Sequence, residues 1–195
     1  FKEPKISWNE AKGIVIESYT SFDKRFGKIV EKFFENSWID ARVLKGKTSG
    51  AFSHPTVPSC NPKILLNFQG KIRDVMTLAH ELGHGVHQFL ANSNGVLLAD
   101  TPLTLAETAS VFGEMLTFKS LLTNAKSLSE RKLLLRSKIE DMLNTVFRQI
   151  AFFKFERELH LKRSDEELTD DQICEIWMST QKESLGNSVI LGKNY

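Results

Sequence analysis

Cysteine is scarce in this chain of 195 residues: the two present, Cys60 and Cys174, stand far apart and neither belongs to a Cys-x-x-Cys pair. Two thiols make no disulfide framework, and reduced thiols suggest a cytoplasmic setting. An excess of charge of one sign is also missing. Lys and Arg number 26 against 24 Asp and Glu, a formal +2, which excludes nucleic-acid binding driven by bulk charge. No apolar run approaches the ~20 residues a bilayer span needs, so no membrane partner is expected. The opening FKEPKISWNE has neither a basic n-region nor an apolar h-region, so no signal peptide is read there. It begins with Phe1, and the expectation is a piece of a longer polypeptide. Internal repeats and Gly/Ser-rich linkers are absent too, which points to one domain over 1–195. With 41% apolar and 26% charged residues, that domain can bury a core and stay in solution.

What is present reads mostly as helix. Ser7 with Glu10 has the form of a capping box, and Ile14, Tyr19, Phe22, Phe26, Ile29, Val30 and Phe33 follow at helical spacing. Ser127 with Glu130 opens a long helix over about 128–162, whose stripe runs Leu135, Ile139, Met142, Leu143, Val146, Phe147, Ile150 and Phe153. Thr169 with Gln172 opens a last helix that stops near Gly186. Between 48 and 68 the pattern changes. Three prolines separate two strand-like pieces, Gly50 to His54 and Lys63 to Phe68. The fold class is mainly α, with a small β element beside one particular helix.

That helix, over about 71–92, contains His80-Glu81-Leu82-Gly83-His84, an HExxH pattern. Residues four apart share a helix face, so both imidazoles can reach one metal ion, and two neutral imidazoles suit Zn²⁺. Glu81 points about 100° round the axis, where it can take a proton from water that the metal activates. With 5 His and 16 Glu in the chain, chance alone produces such a pattern about once in 100 sequences. Two ordinary histidines on a helix are the bland alternative. Leu78, Leu82, Val86, Phe89 and Leu90 around the same helix argue for burial, where an uncompensated His-Glu-His cluster would be costly.

A catalytic zinc takes three protein ligands and leaves a position open. Thr101-Pro102 opens a helix over about 102–122, and its Glu107, among Leu105, Ala106, Val111 and Phe112, is expected to face the interior and to serve as third ligand. A capping box of Thr104 with Glu107 is the competing reading. Glu114, two turns further on nearly the same face, can accept a hydrogen bond from a ligating imidazole. Asp74 is a second candidate for that role, and for either residue the alternative is a solvated helix charge. His87 either touches substrate or is a structural histidine.

LNFQGKIRDVMTLAHELGHGVHQFLA followed by DTPLTLAETASVFGEML resembles the active-site region of the oligoendopeptidase F group, within the wider thimet oligopeptidase family of zinc metallopeptidases. The resemblance extends through SGAFSHP, NPKILLNF and SLGNSVIL. It implies a zincin-like, mostly helical metallopeptidase core of the gluzincin type, and one Zn²⁺ held by His80, His84 and Glu107 with Glu81 as general base. It also implies a channel that admits short unstructured peptides. By the same analogy Gly50, Ala51 and Phe52 lie nearest the substrate, which adds as a strand. Family members are longer and carry a downstream segment rich in tyrosine and histidine that contacts the developing oxyanion. Here the sequence ends at Tyr195, so the expectation is a chain that binds zinc and hydrolyses peptides feebly or not at all. Two other readings stay open: a non-catalytic helical peptide-binding scaffold stapled by a structural zinc, with His87 as fourth ligand, and a carboxypeptidase.

Overall fold

The computed structural model describes residues 5–192, with the backbone alone at Ser188. Readings that rest on the first four residues or on Lys193 to Tyr195 lie outside the described residues. The chain divides into two compact units, Phe1–Lys126 and Ser127–Tyr195.

In the first unit, α1 (Trp8–Phe22) begins with the capping box: the Ser7 hydroxyl accepts from the Glu10 N–H at 3.3 Å, and the Glu10 carboxylate accepts from the Ser7 N–H at 2.8 Å. The helical spacing continues to Phe33, but one helix does not. Asp23 takes an extended conformation that ends α1, and its carboxylate accepts from the Arg25 N–H at 2.7 Å to cap α2 (Lys24–Glu35). Val15 and Tyr19 of α1 meet Ile29, Val30 and Phe33 of α2 in a common core.

A three-stranded sheet follows: β1 (Ile39–Asp40), β2 (Phe52–His54) and β3 (Lys63–Leu65), in the order β1-β3-β2. β1 runs parallel to β3, with Ile39 opposite Ile64, and β2 antiparallel, with Ser53 opposite Ile64. β1 has no counterpart in the sequence reading, because two residues carry no periodicity. The irregular stretch between β1 and β2 is fastened by Lys47. Its buried ammonium donates to the carbonyls of Arg42 at 2.7 Å and Leu66 at 2.9 Å and pairs with the Asp40 carboxylate at 2.9 Å.

Helix α3 (Ile72–Ala91) lays Val75, Leu78, Ala79, Leu82 and Val86 on this core, together with Ile64 of β3 and Leu66 just after it. Each large aliphatic side chain so buried contributes ~1.5–3 kcal/mol relative to exposure. On its other side runs α4 (Leu103–Asn124), whose buried positions are Ser110, Gly113, Thr117 and Phe118. Small residues let the two backbones meet. A Cβ at Gly83 would lie 2.4 Å from the Ala109 carbonyl oxygen, and one at Gly113 would collide with the Tyr19 hydroxyl. That hydroxyl donates to the Ala79 carbonyl at 2.8 Å, tying α1 into the same joint.

The second unit pairs α5 (Leu128–Asp165), about 57 Å long at 1.5 Å per residue, with α6 (Asp170–Leu185). Ser127 caps α5, and Thr169 with Gln172 forms the capping box of α6. Trp177 packs between Phe152 and Phe155, at ring-centroid distances of 5.9 and 5.2 Å, beside Ala151 and Ile176. The stripe that the sequence marks on α5 is exposed at Ile139, Met142, Val146, Phe147 and Ile150, so packing with α6 uses a neighbouring face. No helix among the described residues is long and apolar enough to cross a membrane.

The α3–α4 contact generates a stability prediction. Gly83→Ala puts a methyl against backbone that cannot swing aside, so urea denaturation is expected to show a loss of about 1–3 kcal/mol. An alanine variant as stable as the parent would mean that the helices do not depend on this approach.

Candidate metal centre

His80 and His84 stand one turn apart on α3, their rings 5.0 Å apart between centroids and nearly perpendicular. α4 starts at Leu103, which leaves Thr104 inside the helix and its capping-box alternative unused. Glu107 lies in the second turn and reaches across to α3. Its Oε2 is 3.3 Å from His80 Nε2 and 3.5 Å from His84 Nε2. One donor atom from each of the three residues lies within 4.8 Å of the others. A tetrahedral zinc with donors at ~2.0–2.1 Å has edges of about 3.4 Å. The two edges to Glu107 match that spacing, so the residues present fit the ion. No fourth His, Cys, Asp or Glu joins the group among the described residues.

The surroundings orient these donors. Glu114 Oε2 lies 3.2 Å from His80 Nδ1, which places the proton on Nδ1 and leaves the Nε2 lone pair facing Glu107. His84 bonds to the Ala106 backbone. Ser110, fully buried, donates to Glu107 Oε2 at 2.6 Å and restrains a carboxylate that would otherwise swing freely. Glu107 itself is not interior as the sequence suggested: its side chain is 64% exposed. The reason lies in α4, which meets α3 through small residues, while Leu105, Val111 and Phe112 are themselves exposed.

Burial and charge shift the titrations in ways that suit a metal site. Glu81 is buried, and desolvation pushes its carboxyl up to about 7, against the pull of His80 and with the repulsion of Glu107. Burial works against a charged His80, but the Glu114 hydrogen bond and the charges of Glu81, Glu107 and Glu114 outweigh it and raise the imidazole. His84 is lowered, chiefly by burial. Three carboxylates around two imidazoles leave an excess of negative charge that a divalent cation would balance.

A cleft of about 390 Å³ opens beside the trio. Glu81 and His87 line it from α3, Ala51 and Phe52 from the edge of the sheet, and Leu103 and Ala106 from the start of α4. Gly50 does not line it. Its φ of +89° turns the chain ahead of β2, and its carbonyl accepts from the Asn67 side chain at 3.3 Å. Asp74 is not brought to the centre either. It sits in the first turn of α3, where its Oδ2 accepts from the N–H groups of Gln69 at 2.8 Å and Lys71 at 3.0 Å, a cap for orphan donors. Ser110 and Gly83 were not singled out from the sequence. Ser110 follows Glu107 by three positions, a helical spacing that could have marked it.

Residues 7–195 match the sequence profile described as peptidase family M3. The chain is 29% identical over 191 residues to oligopeptidase PepF of Bacillus subtilis, covering 97% of this chain and 28% of that protein. It is 33% identical over 157 residues to the chromosomal oligoendopeptidase F of Lactococcus lactis subsp. cremoris, covering 80% of this chain and 26% of that one. A Bacillus anthracis structure described as an oligoendopeptidase F superposes with a TM-score of 0.77 at 18% identity, over 95% of this chain and 33% of that chain, which supports the mainly helical fold. The chain thus spans between a quarter and a third of the length of these relatives.

Glu81 gives the centre a pH signature in the metal-free chain. A carboxyl raised from 4.5 to about 7 holds its proton more tightly when folded, so its stabilising contribution is full below pH 4.5 and is lost as pH rises through about 7. Glu81→Gln, which has no such proton to lose, is expected to gain in stability on the parent chain from about pH 5 to about pH 8 in urea titrations. A gap that stays flat across that range would show that Glu81 does not titrate there.

Proposed function

The chain belongs to peptidase family M3, and from that membership we propose that it is the metal-bearing part of a zinc-dependent endopeptidase acting on short, unstructured oligopeptides. The observation that carries this reading is one carboxylate oxygen, on Glu107, set 3.3 and 3.5 Å from two imidazole nitrogens, with the buried Glu81 beside the same cleft.

His80, His84 and Glu107 would hold one zinc ion. Bound there, zinc supplies Lewis acidity, polarising a peptide carbonyl and acidifying water. The protein's own contribution is to hold and move protons. Glu114 keeps the His80 proton on Nδ1, so Nε2 stays free as a donor. Glu81, whose carboxyl titrates near 7, is balanced between accepting a proton from the attacking water and returning it to the departing amine nitrogen. Ala51 and Phe52 lie where an extended peptide would pass the donors, and the free edge of β2 suits main-chain pairing with it.

Three donors leave a coordination position for chemistry, whereas a structural zinc is normally closed by four. That favours a catalytic centre over a stapled scaffold, since His87 stands outside the donor group among the described residues. Among the described residues the lining of the cleft includes neither Lys nor Arg to grip a terminal carboxylate, which favours internal cleavage over a carboxypeptidase. Nor does it include Tyr to donate to a developing oxyanion, and loss of one such donor lowers rates ~10²–10³-fold. Slow hydrolysis is therefore the expectation for this chain by itself.

Metal content per chain tests the reading. Protein purified without added metal is expected to carry close to one zinc, and Glu107→Ala to lose most of it. Glu81→Gln should retain zinc while turnover of a quenched fluorescent nonapeptide falls by about 10²–10⁴, the usual scale for a lost general base. Zinc-free wild type, or unchanged turnover in Glu81→Gln, would overturn the corresponding part of the proposal.

A further inference from the structure

Helix α3 carries a third residue in the row of its two imidazoles. His80, His84 and Gln88 follow one another at intervals of four, so they lie along one stripe of the helix. Gln88 does not face the donor group. It reaches the sheet edge, where its Oε1 accepts from the Ser53 hydroxyl at 2.7 Å and its Nε2 donates to the Ser53 main-chain carbonyl at 3.2 Å. Both residues are half-buried and both line the cleft.

The sheet register shows what this bond occupies. The Ile64 N–H donates to the Trp38 carbonyl at 2.8 Å and the Leu66 N–H to the Asp40 carbonyl at 2.9 Å, so Ile64 is bonded toward β1. Ladder bonds of β3 toward β2 therefore fall to Lys63 and Leu65, opposite His54 and Phe52. Ser53, opposite Ile64, turns its own N–H and C=O away from β3 toward the open edge. The carbonyl that would welcome an added strand is already taken by Gln88, while among the described residues no hydrogen bond occupies the Ser53 N–H.

We infer that Gln88 is a positioning residue for peptide binding: it fixes edge strand β2 at a set height above the imidazoles and withdraws the Ser53 carbonyl from pairing. This rests on the peptidase reading above. An incoming extended peptide then has one register along β2, anchored at the Ser53 N–H and running on toward Ala51. Removing the clamp loosens the strand and opens a competing acceptor, so the bound peptide loses both preorganisation and a unique alignment.

The test uses the zinc-loaded chain with Glu81→Gln as background, so that bound peptide is not consumed. Gln88→Leu removes both bonds; Gln88→Glu keeps the acceptor for the Ser53 hydroxyl but loses the donor, and guards against a folding defect in the first variant. Three quantities are read: zinc affinity against a chromophoric chelator, hydrogen exchange of the β2 amides, and affinity for a fluorescein-labelled unstructured nonapeptide. The expected result in both variants is zinc affinity within about twofold, β2 exchange faster by about tenfold, and peptide affinity weaker by about tenfold, the scale of ordering that the binding peptide must then supply itself. Unchanged β2 exchange, or unchanged peptide affinity in both variants, would overturn the inference. Equal losses of zinc and peptide affinity would overturn it too, since they indicate general collapse of the site. If the Gln88-containing background itself binds no peptide, the peptidase reading falls, and β2 exchange still decides whether Gln88 holds the strand.

Discussion

Everything at the metal centre depends on how closely α3 and α4 approach. Glu107 is on one helix and the two imidazoles on the other, and a carboxylate side chain spans only a short gap. Gly83 and Gly113 bring backbone onto backbone, and a single methyl at either would meet atoms at less than van der Waals distance. The apolar residues of α3 then seal the joint from beneath, with Tyr19 bonded to the Ala79 carbonyl from α1. Packing density, in this case, sets the spacing of the candidate donors.

The second constraint is electrostatic. Glu81, Glu107 and Glu114 crowd two imidazoles in a setting that is only partly solvated. Burial first, and the charge of Glu107 after it, hold the Glu81 proton up to about pH 7 against the pull of His80. Each carboxylate is nevertheless restrained from a different direction: Glu107 by Ser110, Glu114 by His80, Glu81 by burial. Groups that would repel one another in isolation are thereby held apart around a single cluster.

The sheet is too small to hold itself in place, with strands of two or three residues. Side chains supply what the ladders cannot. Lys47 gathers carbonyls from the loop and from β3, Asn67 holds the loop at Thr48 and Gly50, and Gln88 ties the outer strand to the metal helix. The irregular segment beside the cleft is thus ordered by a few polar anchors.

What could be read along the chain is what depends on near neighbours. The HExxH spacing, the capping boxes at Ser7 and Thr169 and the long helix after Ser127 are all local, because helical bonds and caps join residues three or four apart. Glu107 could be picked out by its surroundings in sequence, though those same neighbours misled about its burial. The break at Asp23 leaves no mark in the apolar spacing, which runs across it. Glu114 could be marked as a partner for a ligating imidazole by its spacing from Glu107, though not which imidazole it meets, His80. Decided in three dimensions were β1 and the Ser53–Gln88 clamp across 35 positions. No periodicity encodes which distant side chains will meet; that follows from how the helices and strands pack, and the closeness of α3 to α4 is where packing turns two histidines and a glutamate into a site.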